Sequence, residues 1–207
     1  MRIHLDSIGK KFNSEWIFRD VGFSFGPASA TAILGRNGSG KTTLLQIIAG
    51  CLSPSSGKIA YSLKGNNIPQ EEIFRHLAML SPNQEIIEEF TLKELLSFHF
   101  SLKKILPNYT TKKAFDLIGS STISSRPIRQ FSSGMKQRVK LILTLLSDVP
   151  LLLLDEPATN LDVQGIEWYL KLIHEIRYDR TLIICSNQYH KESAFTSQVL
   201  QLDDYTG

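Results

Sequence analysis

Short apolar runs of strand length recur along the chain at residues 3–8, 18–25, 30–34, 58–63, 77–80, 151–154, 182–185 and 199–202. Two of them, LLLL at 151–154 and LIIC at 182–185, show no polar alternation. A strand apolar on both faces suits the centre of a parallel sheet covered by helices on either side, and helical patterns lie between several of the runs. The expected core is therefore a doubly wound α/β sheet.

The middle of the chain follows another period. From about residue 91 to 146 the apolar positions fall at helical spacing and no strand pattern stands out. Thr91 and Glu94 form a capping box ahead of LKELLSFHFSLKKIL, and Pro107 stops that helix. A second helix is expected over 112–118, closed by Gly119, and a third over 136–146. Between them, SSTISSRPIRQ is too polar and too rich in turn formers to be helical. The sequence thus predicts a helical subdomain over about 85–147, inserted between core segments 1–84 and 148–207, with no internal repeat.

Composition narrows the class. A chain of 207 residues can bury a core without stapling, and 42% hydrophobic with 21% charged residues excludes disorder, collagen-like sequence and coiled coil. No apolar stretch approaches the roughly 18 residues needed to cross a bilayer, and MRIHLDSIGKKF lacks the apolar region of a signal peptide. The net charge is only +3 and the basic residues are scattered, so nucleic acid is not an expected partner. Cys51 and Cys185 sit among apolar neighbours with no ligand-spaced Cys or His beside them. They read as two buried thiols in a reducing cytosol.

The sharpest chemistry lies at Gly35-Arg36-Asn37-Gly38-Ser39-Gly40-Lys41-Thr42, which fits the phosphate-loop pattern G-x-x-x-x-G-K-[ST]. Wrapping a phosphate chain in backbone N–H groups requires glycines where a Cβ would block close approach or where φ must be positive. The run at 30–34 enters this loop and a helical pattern over 42–49, closed by Gly50, leaves it, so a helix N-terminus also faces the anion. Lys41 is placed to reach the terminal phosphates and the Thr42 hydroxyl to meet Mg²⁺. About 115 residues downstream, the apolar strand Val149-Pro150-Leu151-Leu152-Leu153-Leu154 ends in Asp155-Glu156, a Walker B pattern. Asp155 would face the metal, and Glu156 would polarise an attacking water.

Those two motifs are shared by GTPases, kinases, helicases and transporter ATPases. Phe131-Ser132-Ser133-Gly134-Met135-Lys136-Gln137-Arg138, just before the Walker B strand, resembles the LSGGQ-x-QR signature of the ATP-binding cassette (ABC) family. Serine and glycine at a helix start make a second anion cap. Pro157-Ala158-Thr159-Asn160-Leu161-Asp162 resembles the family's D-loop, so the resemblance covers nearly the whole chain.

The resemblance implies a P-loop NTPase core with a mostly parallel sheet, an N-terminal antiparallel β part and an inserted helical subdomain. It implies an Mg-dependent ATPase with ATP and Mg²⁺ as cofactors. In that picture residues 35–43, including Arg36, Asn37, Ser39 and Thr43, hold the nucleotide, and Phe12 in GKKF stacks on adenine with Trp16 as the substitute. Two cassettes face head to tail as a homodimer or heterodimer, so Ser132, Ser133, Gly134 and Met135 reach the ATP of the partner cassette and Asp162 belongs to the D-loop. A transmembrane permease would join them, with the cassettes on the inner face of the cell membrane. Compactness is similar to that of small cassettes of the haem-exporter and ABC-2 exporter types, leaving no room for an added regulatory domain.

The chain departs from the family pattern twice. Where the family has a metal-contacting glutamine, an ungapped count from Thr91 lands on Pro82, with Gln84 two residues on as the candidate equivalent. At the end of Thr181-Leu182-Ile183-Ile184-Cys185-Ser186-Asn187, Asn187 occupies the switch-histidine position, and His190 reads as a surface residue. These departures keep open a weakly or non-hydrolytic partner subunit. A soluble ABC ATPase outside transport would carry coiled-coil insertions or tandem cassettes, and a P-loop metabolic kinase would lack the signature.

Overall fold

The structure is a computed structural model that describes residues 1–119, 126–186 and 195–206. In chain order its strands are β1 (Arg2–Phe12), β2 (Glu15–Phe25), β3 (Ala30–Leu34), β4 (Ser56–Leu63), β5 (Asn66–Ile68), β6 (Leu77–Leu80), β7 (Leu151–Asp155), β8 (Thr181–Cys185) and β9 (Gln198–Gln201). The helices are α1 (Lys41–Ile48), α2 (Leu92–Leu102), α3 (Thr111–Ile118), α4 (Ser133–Leu145) and α5 (Val163–Ile176). Two compact units contain them, one of residues 1–81, 149–157 and 177–207, the other of residues 82–148 and 158–176.

The first unit holds both sheets. A long hairpin pairs β1 with β2 from Ile3 opposite Phe25 to Phe12 opposite Glu15, and β4 and β5 extend it to the antiparallel order β2-β1-β4-β5. The second sheet has the order β6-β7-β8-β3-β9, and every pairing in it is parallel. All residues of β7 and β8 are buried, which is why their runs lack alternation. One apolar core joins Ile3, Leu5 and Ile8 of β1, Ile33 of β3, Leu44 and Ile48 of α1, and Leu151, Leu153 and Ile183 of the central strands.

In the second unit α4 packs against α2, α3 and α5, burying Val139, Leu141, Ile142 and Leu145. The capping box at Thr91 is formed: its hydroxyl accepts from the Glu94 N–H at 3.3 Å while the Glu94 carboxylate accepts from the Thr91 N–H at 2.8 Å.

Several boundaries differ from the sequence expectation. Helix α2 stops at Leu102 rather than before Pro107, because Lys103 turns extended and residues 104–106 bond to the chain after α4: Leu106 N–H to Leu146 O at 2.9 Å, Asp148 N–H to Lys104 O at 2.7 Å. Helix α4 begins three residues earlier than expected, at Ser133, because Ser132 caps it. Within SSTISSRPIRQ, Ile128–Gln130 makes one 3₁₀ turn. Helix α5 and the short β5 had no place in the sequence reading, and α5 groups with the second unit although it follows the Walker B strand in sequence. Cys51 is exposed, just past the left-handed Gly50 that ends α1, whereas Cys185 is buried as expected. Among the described residues no helix is long and apolar enough to cross a membrane.

Candidate functional site

Strand β3 delivers the chain to the phosphate loop, and two of its glycines take conformations closed to most side chains. Gly38 has φ 82° and Gly40 has φ 94°. Gly40 is also the N-cap of α1 and supplies no side chain to the first-turn amides, which are left for an anion. A Cβ on Gly40 would stand 2.5 Å from Ile17 Cγ2. Gly35 has ordinary φ and is needed for closeness, since a Cβ there would lie 2.5 Å from Ser39 Oγ.

The loop opens on a cleft of about 430 Å³ lined by Ile17, Asn37, Gly38, Gly40, Lys41, Thr42, Thr43 and Glu156. Lys41 is 6% exposed, and its ammonium curls back to donate to Gly35 O at 2.8 Å and Arg36 O at 2.9 Å. Ser39 Oγ is buried with no hydrogen-bond partner. The Thr42 hydroxyl donates to Asp155 Oδ2 at 2.6 Å, joining the two motifs across 113 residues of sequence.

Asp155 ends the fully buried β7 and is itself 2% exposed. Burial holds its carboxyl above the usual range; the Thr42 hydrogen bond acts the other way, the Glu156 charge adds to the rise and Lys41 opposes it. Glu156 follows with φ 47°, a left-handed conformation costly for a non-glycine residue, and its N–H donates to Cys185 O at 2.9 Å. That turn of the backbone is what brings the Glu156 side chain to the cleft instead of continuing the strand. Beneath α1, Cys185 Sγ lies 3.6 Å from Lys41 O, and burial pushes its thiol well up, so it is a packing group.

Phe12 stands at the hairpin tip, half exposed, with the Lys10 ammonium 5.0 Å from its ring centre. Trp16 is engaged by two cations, Arg19 at 4.9 Å and Lys11 at 5.5 Å. Phe12 is the more accessible aromatic.

The signature residues lie in the second unit. Ser132 Oγ accepts from Met135 N–H at 3.3 Å, and Ser133 beside it is exposed. Gly134 packs so tightly that a Cβ would stand 3.1 Å from Asn160 O. Lys136 pairs with Glu88 at 2.6 Å, along a cleft of about 910 Å³ that Gln84, Ser133 and Lys140 also line. Gln84 is exposed there, and Pro82 O accepts from Lys140 Nζ at 3.4 Å. Asp162 Oδ1 accepts from Gly165 N–H at 2.7 Å and so caps the start of α5 at Val163, a role the sequence reading missed although Asp directly before a helical pattern is a cap signal. Asn187 and His190 lie outside the described residues.

One neighbour of the loop went unforeseen altogether. Arg36 N–H donates to the carboxylate of Asp203, with both oxygens at 3.1 Å. No local pattern marks Asp203; only strand register brings it there.

The sequence profile of the ABC transporter family matches residues 18–159. The cytochrome c biogenesis ATP-binding export protein of Xylella fastidiosa is 38% identical over 154 residues, which is 74% of this chain and 69% of that protein. A lantibiotic transport ATP-binding protein of Streptococcus pyogenes is 29% identical over 210 residues, 99% of this chain and 85% of that protein. A dimeric bacterial ABC transporter cassette of known structure superposes with a TM-score of 0.79 at 19% identity, covering 97% of this chain and 94% of that one.

Proposed function

The chain belongs to the ABC transporter family, and from that membership we propose that it is the ATP-binding and hydrolysing subunit of a transporter, driving transport through a separate transmembrane permease. The observation that carries this reading is the single cleft shared by Lys41, Thr42 and Glu156, with Asp155 bonded to Thr42 at 2.6 Å.

The residues present fit magnesium ATP. The orphaned Ser39 hydroxyl and the uncapped first turn of α1 await an acceptor, and a hydroxyl beside a carboxylate is an oxygen set suited to a hard cation. Magnesium ATP supplies the transferable phosphoryl group and a cation that offsets its charge. Phe12 stacks on the adenine ring. The amides of residues 37–43 cradle the phosphates, and Lys41 exchanges its loop carbonyls for phosphate oxygens. Thr42 and Asp155 would hold Mg²⁺; Gln84 remains the candidate for the family's metal-contacting glutamine by sequence position alone. Glu156 orients the attacking water and accepts its proton. Asn187 stands at the switch position in sequence, a place where a side-chain amide can serve as a hydrogen-bond donor. Ser132, Ser133, Gly134 and Met135 close on the nucleotide of a second cassette, with Asp162 at the D-loop, in a head-to-tail pair on the inner face of the membrane.

The test is Glu156→Gln, which keeps shape and removes the charge. Steady-state hydrolysis falls on the order of a hundredfold while ATP binding persists. Wild-type turnover in this variant would show that another group acts as base.

A further inference from the structure

The segment that follows β9 reaches back to the phosphate loop. Strand β9 runs parallel to β3 with Gln201 opposite Leu34, so the residues just past Gln201 meet those just past Leu34. There Leu202–Tyr205 forms a 3₁₀ turn anchored by the fully buried Leu202. Asp203 is held in that turn: Thr206 Oγ1 donates to its carbonyl at 3.0 Å and Gln201 Nε2 to its Oδ2 at 3.3 Å. Its carboxylate accepts the Arg36 N–H, and Arg36 Nε lies 3.7 Å from Oδ1. The Arg36 side chain is 82% exposed, so that ion pair contributes little and the backbone bond does the holding.

The N–H that Asp203 engages and the carbonyl that Lys41 engages belong to one peptide unit, Gly35–Arg36. Its oxygen accepts from the Lys41 ammonium at 2.8 Å, and its hydrogen points to the carboxylate. Opposite charges at the two ends of a peptide dipole resist its turning over. Once Lys41 leaves for a phosphate, the carbonyl end is released and the N–H end remains tied.

We propose that Asp203 is a positioning residue of the phosphate loop, holding the Gly35–Arg36 peptide in the cradle conformation when Lys41 is withdrawn from it. The proposal rests on the reading of residues 35–42 as the phosphate loop. Asp203 makes the cradle ready before nucleotide arrives. Without it the loop samples other peptide orientations, and apparent affinity falls by the fraction that stays competent.

Asp203→Ala weakens magnesium ATP binding by about three- to tenfold, the population shift expected from losing one charge-assisted bond at a partly exposed site. At saturating ATP, turnover stays within about twofold of wild type, because Asp203 touches no reacting atom. Asp203→Asn keeps an acceptor oxygen for the Arg36 N–H and restores most of the affinity. Titration calorimetry and steady-state assays on the full chain read both. Wild-type affinity in Asp203→Ala overturns the proposal, as does tighter binding, which would mean that repulsion between carboxylate and phosphate dominates. A fall in turnover with unchanged KM also overturns it. Hydrogen exchange on the wild-type protein tests it without a variant: the Arg36 amide is protected both with and without ATP, and fast exchange in the ATP-bound state refutes it. Failure of the wild-type chain to bind magnesium ATP, or equal binding by Lys41→Met, would overturn the phosphate-loop reading itself; loss of binding in Lys41→Met beside an untouched Asp203→Ala overturns only the role of Asp203.

Discussion

Replacing Lys41 with methionine removes the ammonium and keeps the apolar stem, and the resting contacts of Lys41 set how large the effect should be. Its Nζ donates to two neutral carbonyls, Gly35 O at 2.8 Å and Arg36 O at 2.9 Å. Hydrogen bonds from a charged group contribute roughly 1.5 to 3 kcal/mol each, with neutral acceptors at the lower end and ionised phosphate oxygens at the upper. On the proposed reading, binding of ATP would exchange one kind for the other. The gain is therefore about 1 to 1.5 kcal/mol per bond, or about 2 to 3 kcal/mol for two, and not the roughly 6 kcal/mol obtained by counting phosphate bonds alone. Lys41→Met should weaken magnesium ATP binding by about 30- to 150-fold. Titration calorimetry at fixed salt measures this, with thermal melts as a check that the variant is folded. Unchanged affinity would remove Lys41 from the phosphate site. A loss on the order of ten-thousandfold would refute the exchange argument, since it would mean that the resting bonds to the loop offset nothing.

Asp162→Ala should cost about 1 kcal/mol of stability by uncapping α5, while Asp162→Asn, also a good cap, should cost little; equal melts for wild type and alanine variant would show that the Gly165 contact is idle. His99 gives a pH dependence. Its Nε2 lies 3.0 Å from Ser147 Oγ, whose own proton goes to Leu143 O at 2.7 Å, so the ring is the donor to Ser147. Burial holds the His99 imidazole below the usual histidine range, with a Leu143 backbone hydrogen bond opposing and Lys103 adding to the shift. Because the folded protein binds this proton less tightly than the unfolded chain, the contribution is fully present above about pH 6.5 and is lost as pH falls through the lowered value. Thermal melts across that window should show wild type losing stability on acidification and His99→Gln losing less; parallel curves would refute the assignment.

How much of this was legible beforehand depends on the distance over which each feature is encoded. The glycine turn at 35–42, the buried strand ending at Asp155 and the Thr91 capping box were readable as structure because each is a run of adjacent residues whose backbone demands are local: Gly38 and Gly40 take positive φ, and Thr91 needs an acid three residues on. The buried centre of the parallel sheet was readable because LLLL and LIIC have no solvent face. Other boundaries were decided by partners elsewhere in the chain. Helical periodicity in α2 continues past Leu102, yet the backbone at 104–106 bonds to residues 146–148 instead, and Cys51 is apolar in its neighbours but exposed in space.

The site divides in the same way. Sequence alone determined which residue types are proposed to handle phosphate and water, because G-x-x-x-x-G-K-T and an apolar strand ending in Asp-Glu are local patterns with a local chemical meaning. Only the tertiary structure decided that the Thr42 hydroxyl meets Asp155 at 2.6 Å, that Glu156 enters the cleft through a left-handed turn, and that Asp203 ties the Gly35–Arg36 peptide. The last contact spans 167 residues and exists because β9 lies beside β3 in parallel register. A hydrogen bond of that range depends on where two strand ends stop relative to each other, a consequence of the packing of the whole sheet that no short window of sequence contains.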